Sequence, residues 1–278
     1  MEALLRIDNL RKHFVSGKGI FKKGYTIKAV DGVSFSVKRG ETLGLVGESG
    51  CGKSTLGRTI LKLYEPTSGK IFFEGQDITD LSPRAMRPLR KEMQIVFQDP
   101  LESLNQRHTV GMILEEPFEI HRVGTRSERK QWVRELLEKV GLPPESVSRY
   151  PHEFSGGQRQ RIGIARAIAL KPKLLICDES VSALDVSVQA QILNLLLKLQ
   201  QEMNLAMIFI SHDLSVVRQV SDNVAVMYFG NVVEYGDTKT LYASPQHHYT
   251  QTLLSAVPVN HPRHRGKKRQ AELALSQS

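Results

Sequence analysis

The chain has 278 residues, 40% of them apolar and 24% charged, enough for one large domain or two modest ones with a full core. No stretch approaches the ~18 consecutive apolar residues of a membrane-spanning helix, and the opening "MEALLRIDNL" is no signal peptide. Two cysteines, Cys51 and Cys177, cannot build a disulfide framework or a thiolate metal site, so a cytosolic chain is expected.

The net charge of +9 is concentrated rather than spread. Arg263, Arg265, Lys267, Lys268 and Arg269 crowd the tail segment "HPRHRGKKRQ", and further positive charge lies in "SGKGIFKKGYTIK". Charge gathered in a tail and a loop suits a solvated or membrane-surface role. No basic helix face with interleaved aromatics argues for nucleic acid.

In chain order, residues 3 to 46 read as strands. "LLRIDNL" opens, "TIKAVDGVSFSV" alternates with period two, and "ETLGLV" has the apolar run of a buried strand. "KSTLGRTILKL" then carries helical spacing through Leu56, Ile60 and Leu61. "GKIFFEGQDI" is a strand with a turn, and "MQIVFQDP" a short strand stopped by proline. Between about 105 and 165 the period changes to helical. "SERKQWVRELLEKVGL" puts Trp132, Leu136, Leu137 and Val140 on one face before Gly141 stops it, and "GQRQRIGIARAIAL" is a second helix.

The alternating pattern then resumes with a strand at "KLLICDE", a helix at "VQAQILNLLLKLQQEM" facing inward at Val188, Ile192, Leu195 and Leu199, and a strand at "AMIFISHD". Strands alternating with helices predict an α/β fold with a mostly parallel sheet, here interrupted by a helical insertion. "NVAVMYFGNVVEYGD" predicts a hairpin turning at Gly230-Asn231, and no regular element is assigned after about 237.

The stretch "GESGCGKST" lies between a buried strand and a helix. Gly47, four residues, then Gly52, Lys53 and Ser54 fit the phosphate-loop pattern in its required setting. Backbone free of side chains lets successive N–H groups turn inward on phosphate oxygens, and the positive end of the following helix adds attraction. Lys53 would reach the β- and γ-phosphates and Ser54 would offer its hydroxyl to magnesium. Gly47, Glu48, Ser49, Gly50, Cys51, Gly52, Lys53, Ser54 and Thr55 are therefore the nucleotide-binding candidates. Small-molecule kinases, GTPases and motors share this loop, so it leaves the use of the nucleotide open.

Three strand ends add chemistry. Asp178 and Glu179 close "LLICDE": the first can hold magnesium through water, the second can orient or deprotonate an attacking water, unless the pair merely caps the strand. His212 ends "IFISHD", where imidazole can hold that water and Glu179 in line, or can serve structure alone. Gln98, after "IVF", offers a neutral amide to magnesium or to the water. Phe14 can stack on an adenine face or belong to the core.

"FSGGQ", residues 154 to 158, opens a helix with a serine and two glycines, a second anion-binding terminus in the same chain. A single nucleotide does not obviously need two cradles, so the economical reading gives the second one to a partner's nucleotide.

"GESGCGKST", "FQDP", "EFSGGQRQRIGIARAI", "LLICDE", "SALD" and "IFISHD", in this order, resemble the ATP-binding subunits of ABC transporters over about residues 3 to 257. The resemblance implies a RecA-like P-loop NTPase core, an N-terminal antiparallel β-subdomain, a helical subdomain at about 100–165, and a flexible basic tail at 258–278. It also implies ATP and magnesium as ligands and a head-to-tail pair of such domains. Ser155, Gly156, Gly157 and Gln158 would then contact the partner's nucleotide, and Asp185 would cross the interface. Ser54, Gln98 and Asp178 would hold the magnesium.

"FQDPLESLN", "RYPHEFSGGQ", "CDESVSALDVSVQAQ" and "SPQHHYTQTLLSAVP" resemble the oligopeptide and dipeptide importer branch, closest to its F-type ATPase. That implies a D-type paralogue, two membrane permease subunits docking near residues 99 to 120, an extracytoplasmic binding protein, and a place on the cytoplasmic face of the membrane. A nickel, antimicrobial-peptide or export system, or a soluble ABC ATPase of nucleic acid, are the alternatives. Departures from the pattern are Phe154 for leucine, Ser180 for the proline after the acid pair, His248 for proline in "HPYT", and the lack of a later cysteine cluster.

Overall fold

A computed structural model of the chain describes residues 3–16, 25–99 and 103–256. The basic tail at 258–278 and most of "SGKGIFKKG" lie outside the described residues. Two sheets organise the rest. The first is antiparallel, in the order β2-β1-β4-β5, from β1 (Ala3–Ser16), β2 (Tyr25–Lys38), β4 (Ser68–Phe73) and β5 (Gln76–Asp77). The second has the order β10-β9-β3-β8-β7-β6, from β3 (Thr42–Val46), β6 (Met93–Val96), β7 (Leu174–Asp178), β8 (Ala206–Ile210), β9 (Asn223–Tyr228) and β10 (Asn231–Asp237). Its neighbours are parallel except the β9–β10 hairpin.

The three central strands β3, β7 and β8 are buried at every residue because both faces of the sheet are covered. Leu175, Cys177, Met207 and Phe209 face one core, shared with the helices of the insertion. Leu174, Ile176, Ile208 and Ile210 face the other, shared with helix α1 (Lys53–Ile60) and the antiparallel sheet. Period-two alternation survives here as a choice between two cores rather than between core and water.

Helix α2 (Pro83–Met86) is a single turn ahead of β6. Three longer helices then separate β6 from β7: α3 (Val110–Ile120), α4 (Arg126–Lys139) and α5 (Gly156–Ile168). In α4 a capping box starts the helix, Thr125 and Glu128 each satisfying the other's backbone N–H, and Gly141 ends it at φ +73°. Leu136, Leu137 and Val140 are buried as expected. Trp132 is only half-buried: its ring lies 5.1 Å from that of Phe118, and Val133 takes the buried place. Helix α6 (Val186–Met203) buries Ile192, Leu195 and Leu199, while Val188 is half-buried because it packs on the neighbouring Gly157 rather than in the core.

Two expectations need correcting. The hairpin turns at Phe229-Gly230, one residue earlier than expected, with Tyr228 paired to Asn231. Phe229 and Gly230 both take positive φ, 41° and 81°, as a two-residue hairpin loop demands. Asn231 instead uses its side chain, donating to the Phe229 carbonyl at 3.0 Å. After α7 (Leu214–Val220) and the hairpin, the chain also forms α8 (Thr238–Ala243) and α9 (His248–Ala256), where the mixed polarity of the sequence predicts no regular element. No helix among the described residues is long and apolar enough to cross a membrane.

Candidate functional site

The parallel order of β3, β7 and β8 brings their C-terminal ends to one edge of the sheet, and each end carries one piece of the site. β3 runs into the glycine-rich loop and α1. Within the loop Lys53 is 4% exposed, and its ammonium donates to the carbonyls of Gly47 at 2.7 Å and Glu48 at 2.8 Å. The loop is thus closed on its own cation through two carbonyls.

Gly52 caps α1 at φ +107°, and a Cβ there would lie 1.9 Å from the carbonyl oxygen of Ala29 on β2. Only glycine allows the loop to lie this close to the antiparallel sheet. Beside Lys53, the Cys51 thiol is pushed up by burial, although Lys53 opposes the shift. The Cys177 thiol, wholly buried on β7, is pushed up to about 12 by burial. Both stay protonated, as packing residues do.

β7 delivers the acids. The Ser54 hydroxyl donates to Asp178 Oδ1 at 2.7 Å, which ties the start of α1 to the end of β7. Burial pushes the Asp178 carboxyl up from its ordinary range, with the Ser54 hydrogen bond and the Arg58 guanidinium, 3.8 Å away, pulling against it. Arg58 went unremarked in the sequence, although its place four residues beyond Ser54 on a helix puts both on one face.

Glu179 takes φ +46°, which turns its side chain away from the strand line. Its backbone is fixed on both sides: the N–H donates to Ile210 of β8 at 3.0 Å, and the carbonyl accepts from Ser182 N–H at 3.1 Å and the Ser182 hydroxyl at 2.9 Å. These bonds hold the turn at the place where the family's usual proline is Ser180.

Two further sequence candidates converge on the same carboxylate. Gln98 Nε2 donates to Glu179 Oε2 at 3.1 Å, and His212 Nδ1 lies 3.5 Å from that oxygen. Three strand ends thus meet at one atom. Gln98 has its amide oxygen left over for a cation. Ser54, Gln98 and Asp178 offer an all-oxygen donor set with one carboxylate, which fits magnesium that keeps waters and leans on substrate phosphates. Among the described residues no group of three His, Cys, Asp or Glu forms an all-protein metal cage.

The other sequence candidates stand apart from this centre. Phe14 is half-buried on β1, its ring edge-on to Tyr64 at 5.6 Å and under the Lys12 ammonium at 4.8 Å. Ser155 caps α5, its hydroxyl accepting from Gln158 N–H at 3.3 Å while Gln158 Oε1 accepts from Ser155 N–H at 3.0 Å. Gly157 is required inside this chain, since a Cβ would meet Val188 at 2.3 Å. At Gly156 a Cβ would make only an ordinary contact, 3.5 Å from Leu184, so nothing among the described residues demands that glycine. Asp185 is exposed at the head of α6 and makes no capping bond, and Val186 beside it is 84% exposed.

The chain is similar to known proteins over most of its length. A family model described as "ABC transporter" matches residues 30–182, and one described as "Oligopeptide/dipeptide transporter, C-terminal region" matches residues 233–277. The oligopeptide transport ATP-binding protein AppF of Bacillus subtilis is 56% identical over 276 residues, covering 99% of this chain and 83% of AppF. OppF of the same organism is 53% identical, covering 94% of this chain and 84% of OppF. Among solved structures, cbiO1 from Clostridium perfringens, part of the transporter complex cbiONQ, superposes with TM-score 0.76 at 30% identity, covering 88% of this chain and 92% of that one. The cassette MJ0796, dimeric and bound to ADP and Pi after hydrolysis, superposes with TM-score 0.74 at 28% identity, covering 84% of this chain and 98% of that one.

Proposed function

Since the chain belongs to the ABC transporter family of ATP-binding proteins, we propose that it hydrolyses ATP to drive uptake of oligopeptides or dipeptides across a membrane. The observation that carries the hydrolytic part is the meeting of Gln98 and His212 at Glu179 Oε2. Import of peptides is supported by the likeness to AppF and OppF over nearly the whole chain and by the match at residues 233–277.

In this reading the phosphate loop binds ATP when Lys53 exchanges its bonds to Gly47 and Glu48 for the β- and γ-phosphates. Ser54, Gln98 and Asp178 would hold magnesium, which when bound neutralises charge developing on the phosphates. Glu179 accepts the proton of the attacking water, and His212 keeps the carboxylate and the water in line. Phe14 is the candidate to meet the adenine.

The site is half of a pair. Ser155, Gly156, Gly157 and Gln158 face away from this chain's own loop in function: they complete the pocket of a second ATPase subunit, a D-type paralogue or another copy. An unneeded glycine at Gly156, an uncapped Asp185 and a bare Val186 support a surface meant to be covered. Loss of the γ-phosphate removes the bridge between the two chains, and the reopening is what two permease subunits convert to transport. The chain then sits at the cytoplasmic face of the membrane, and an extracytoplasmic binding protein delivers the peptide.

The test is reconstitution of the whole assembly in lipid vesicles with labelled oligopeptide, dipeptide or nickel offered in turn. Peptide uptake that requires ATP is expected. ATP-driven uptake of nickel with no uptake of either peptide would overturn the peptide reading.

A further inference from the structure

The phosphate loop is held from outside as well as from within. At one point, Gly230 N–H of the β9–β10 hairpin donates to the Cys51 carbonyl at 3.0 Å, while the Gly230 carbonyl accepts from Asp31 N–H at 2.8 Å. At another, Glu48 N–H donates to the phenolic oxygen of Tyr249 at 3.1 Å. Tyr249 belongs to α9, some two hundred residues further along the chain. Its side chain is placed firmly: the residue is 9% exposed and its ring centre lies 4.1 Å from that of Tyr228. The segment leading into α9 is anchored in turn by Glu234 of β10, whose two carboxylate oxygens accept from Gln246 N–H at 2.9 Å and His247 N–H at 3.0 Å. Burial pushes the Tyr249 phenol up, so its hydroxyl stays neutral and able to accept.

We infer that Tyr249 is a positioning residue of the phosphate loop, through which the C-terminal helix sets the affinity for ATP. Glu48 is the first residue after Gly47 and is exposed. Pinning its N–H fixes the Gly47–Glu48 peptide, whose carbonyl receives the Lys53 ammonium at 2.7 Å, so less order has to be imposed on the loop when the nucleotide arrives. The inference rests on the loop being the cradle for ATP.

The test compares Tyr249→Phe with Tyr228→Phe, which keeps the contact between the two rings and removes a hydroxyl other than the one bonded to Glu48. Hydrogen exchange is followed on the nucleotide-free full chain, and ATP turnover on the complex assembled with the permease subunits. In Tyr249→Phe, exchange at the Glu48 amide should rise roughly tenfold and KM for ATP about three- to tenfold, the scale of one lost hydrogen bond. The kcat should stay within about twofold and Tyr228→Phe should match the wild type. Wild-type exchange and KM in Tyr249→Phe, or equal effects in both variants, would overturn the inference. A wild-type complex that turns over no ATP would instead defeat the ATP reading, with the exchange result still deciding the brace.

Discussion

Glu179→Gln should leave ATP bound and stop its turnover. Gln is nearly isosteric with Glu, and its amide oxygen can still accept from Gln98 Nε2, which now sits 3.1 Å from Oε2. The backbone turn is unaffected, because Ile210 and Ser182 hold Glu179 through main-chain groups. What vanishes is a group able to take a proton from water, and general-base catalysis of this kind is worth about 10²–10⁴ in rate. In the proposed reading the nucleotide's contacts lie elsewhere, on Lys53, Ser54 and the loop amides, so the Kd for ATP should stay within about twofold. Filter binding alongside single-turnover hydrolysis separates the two quantities. Hydrolysis at the wild-type rate would remove Glu179 from the role of base.

Gly52→Ala should do the reverse and remove binding. The added methyl would sit 1.9 Å from the Ala29 carbonyl oxygen and 2.9 Å from Met227 Cε. The methionine end can swing aside, but the carbonyl is main chain of β2, and Ala29 is flanked by the β1 pairs Lys28–His13 and Val30–Lys12. So the loop, not the sheet, must move. A positive φ of 107° adds strain that no L-residue tolerates well. Gly52 also accepts the bond from Leu56 N–H at 2.8 Å that starts α1. Its displacement therefore shifts Lys53, Ser54 and the first-turn amides together. Affinity for ATP should fall by about 10² or more, the loss of two or more phosphate hydrogen bonds. Calorimetric titration measures it, with circular dichroism showing the α/β fold retained. Affinity within twofold of wild type would mean the loop does not need its close approach to β2.

Much of this site was legible along the chain because its parts are local. The phosphate loop is nine consecutive residues between a buried strand and a helix, and Asp178 and Glu179 are neighbours at the end of an apolar run. Gln98 and His212 were legible only as polar residues at strand ends. That both reach one oxygen of Glu179 depends on the strand order β8-β7-β6, which no local pattern reveals. The same cause hid α9. The backbone entering it is capped by Glu234 from β10, and the local cap is an imidazole, His247 Nδ1 accepting from Tyr249 N–H at 3.2 Å, rather than one of the usual capping residues. Tyr249 stands in the branch pattern "HHYT", and nothing in that pattern reveals that it is a neighbour of Glu48. The turn at Phe229-Gly230 was misplaced because asparagine usually enters such a loop through its backbone. Asn231 enters it through its side chain.

The proposition most exposed to failure is that one chain holds two half-sites and no whole one. Turnover of ATP should be measured at concentrations where sedimentation reports only monomer, and again in the assembled complex, each with and without Ser155→Ala. Monomer should turn over almost nothing, and in the complex Ser155→Ala should slow hydrolysis by about 10²-fold, as loss of one oriented donor does, while ATP still binds to this chain's own loop. A monomer that hydrolyses ATP as fast as the complex, whether or not Ser155 is present, would contradict it.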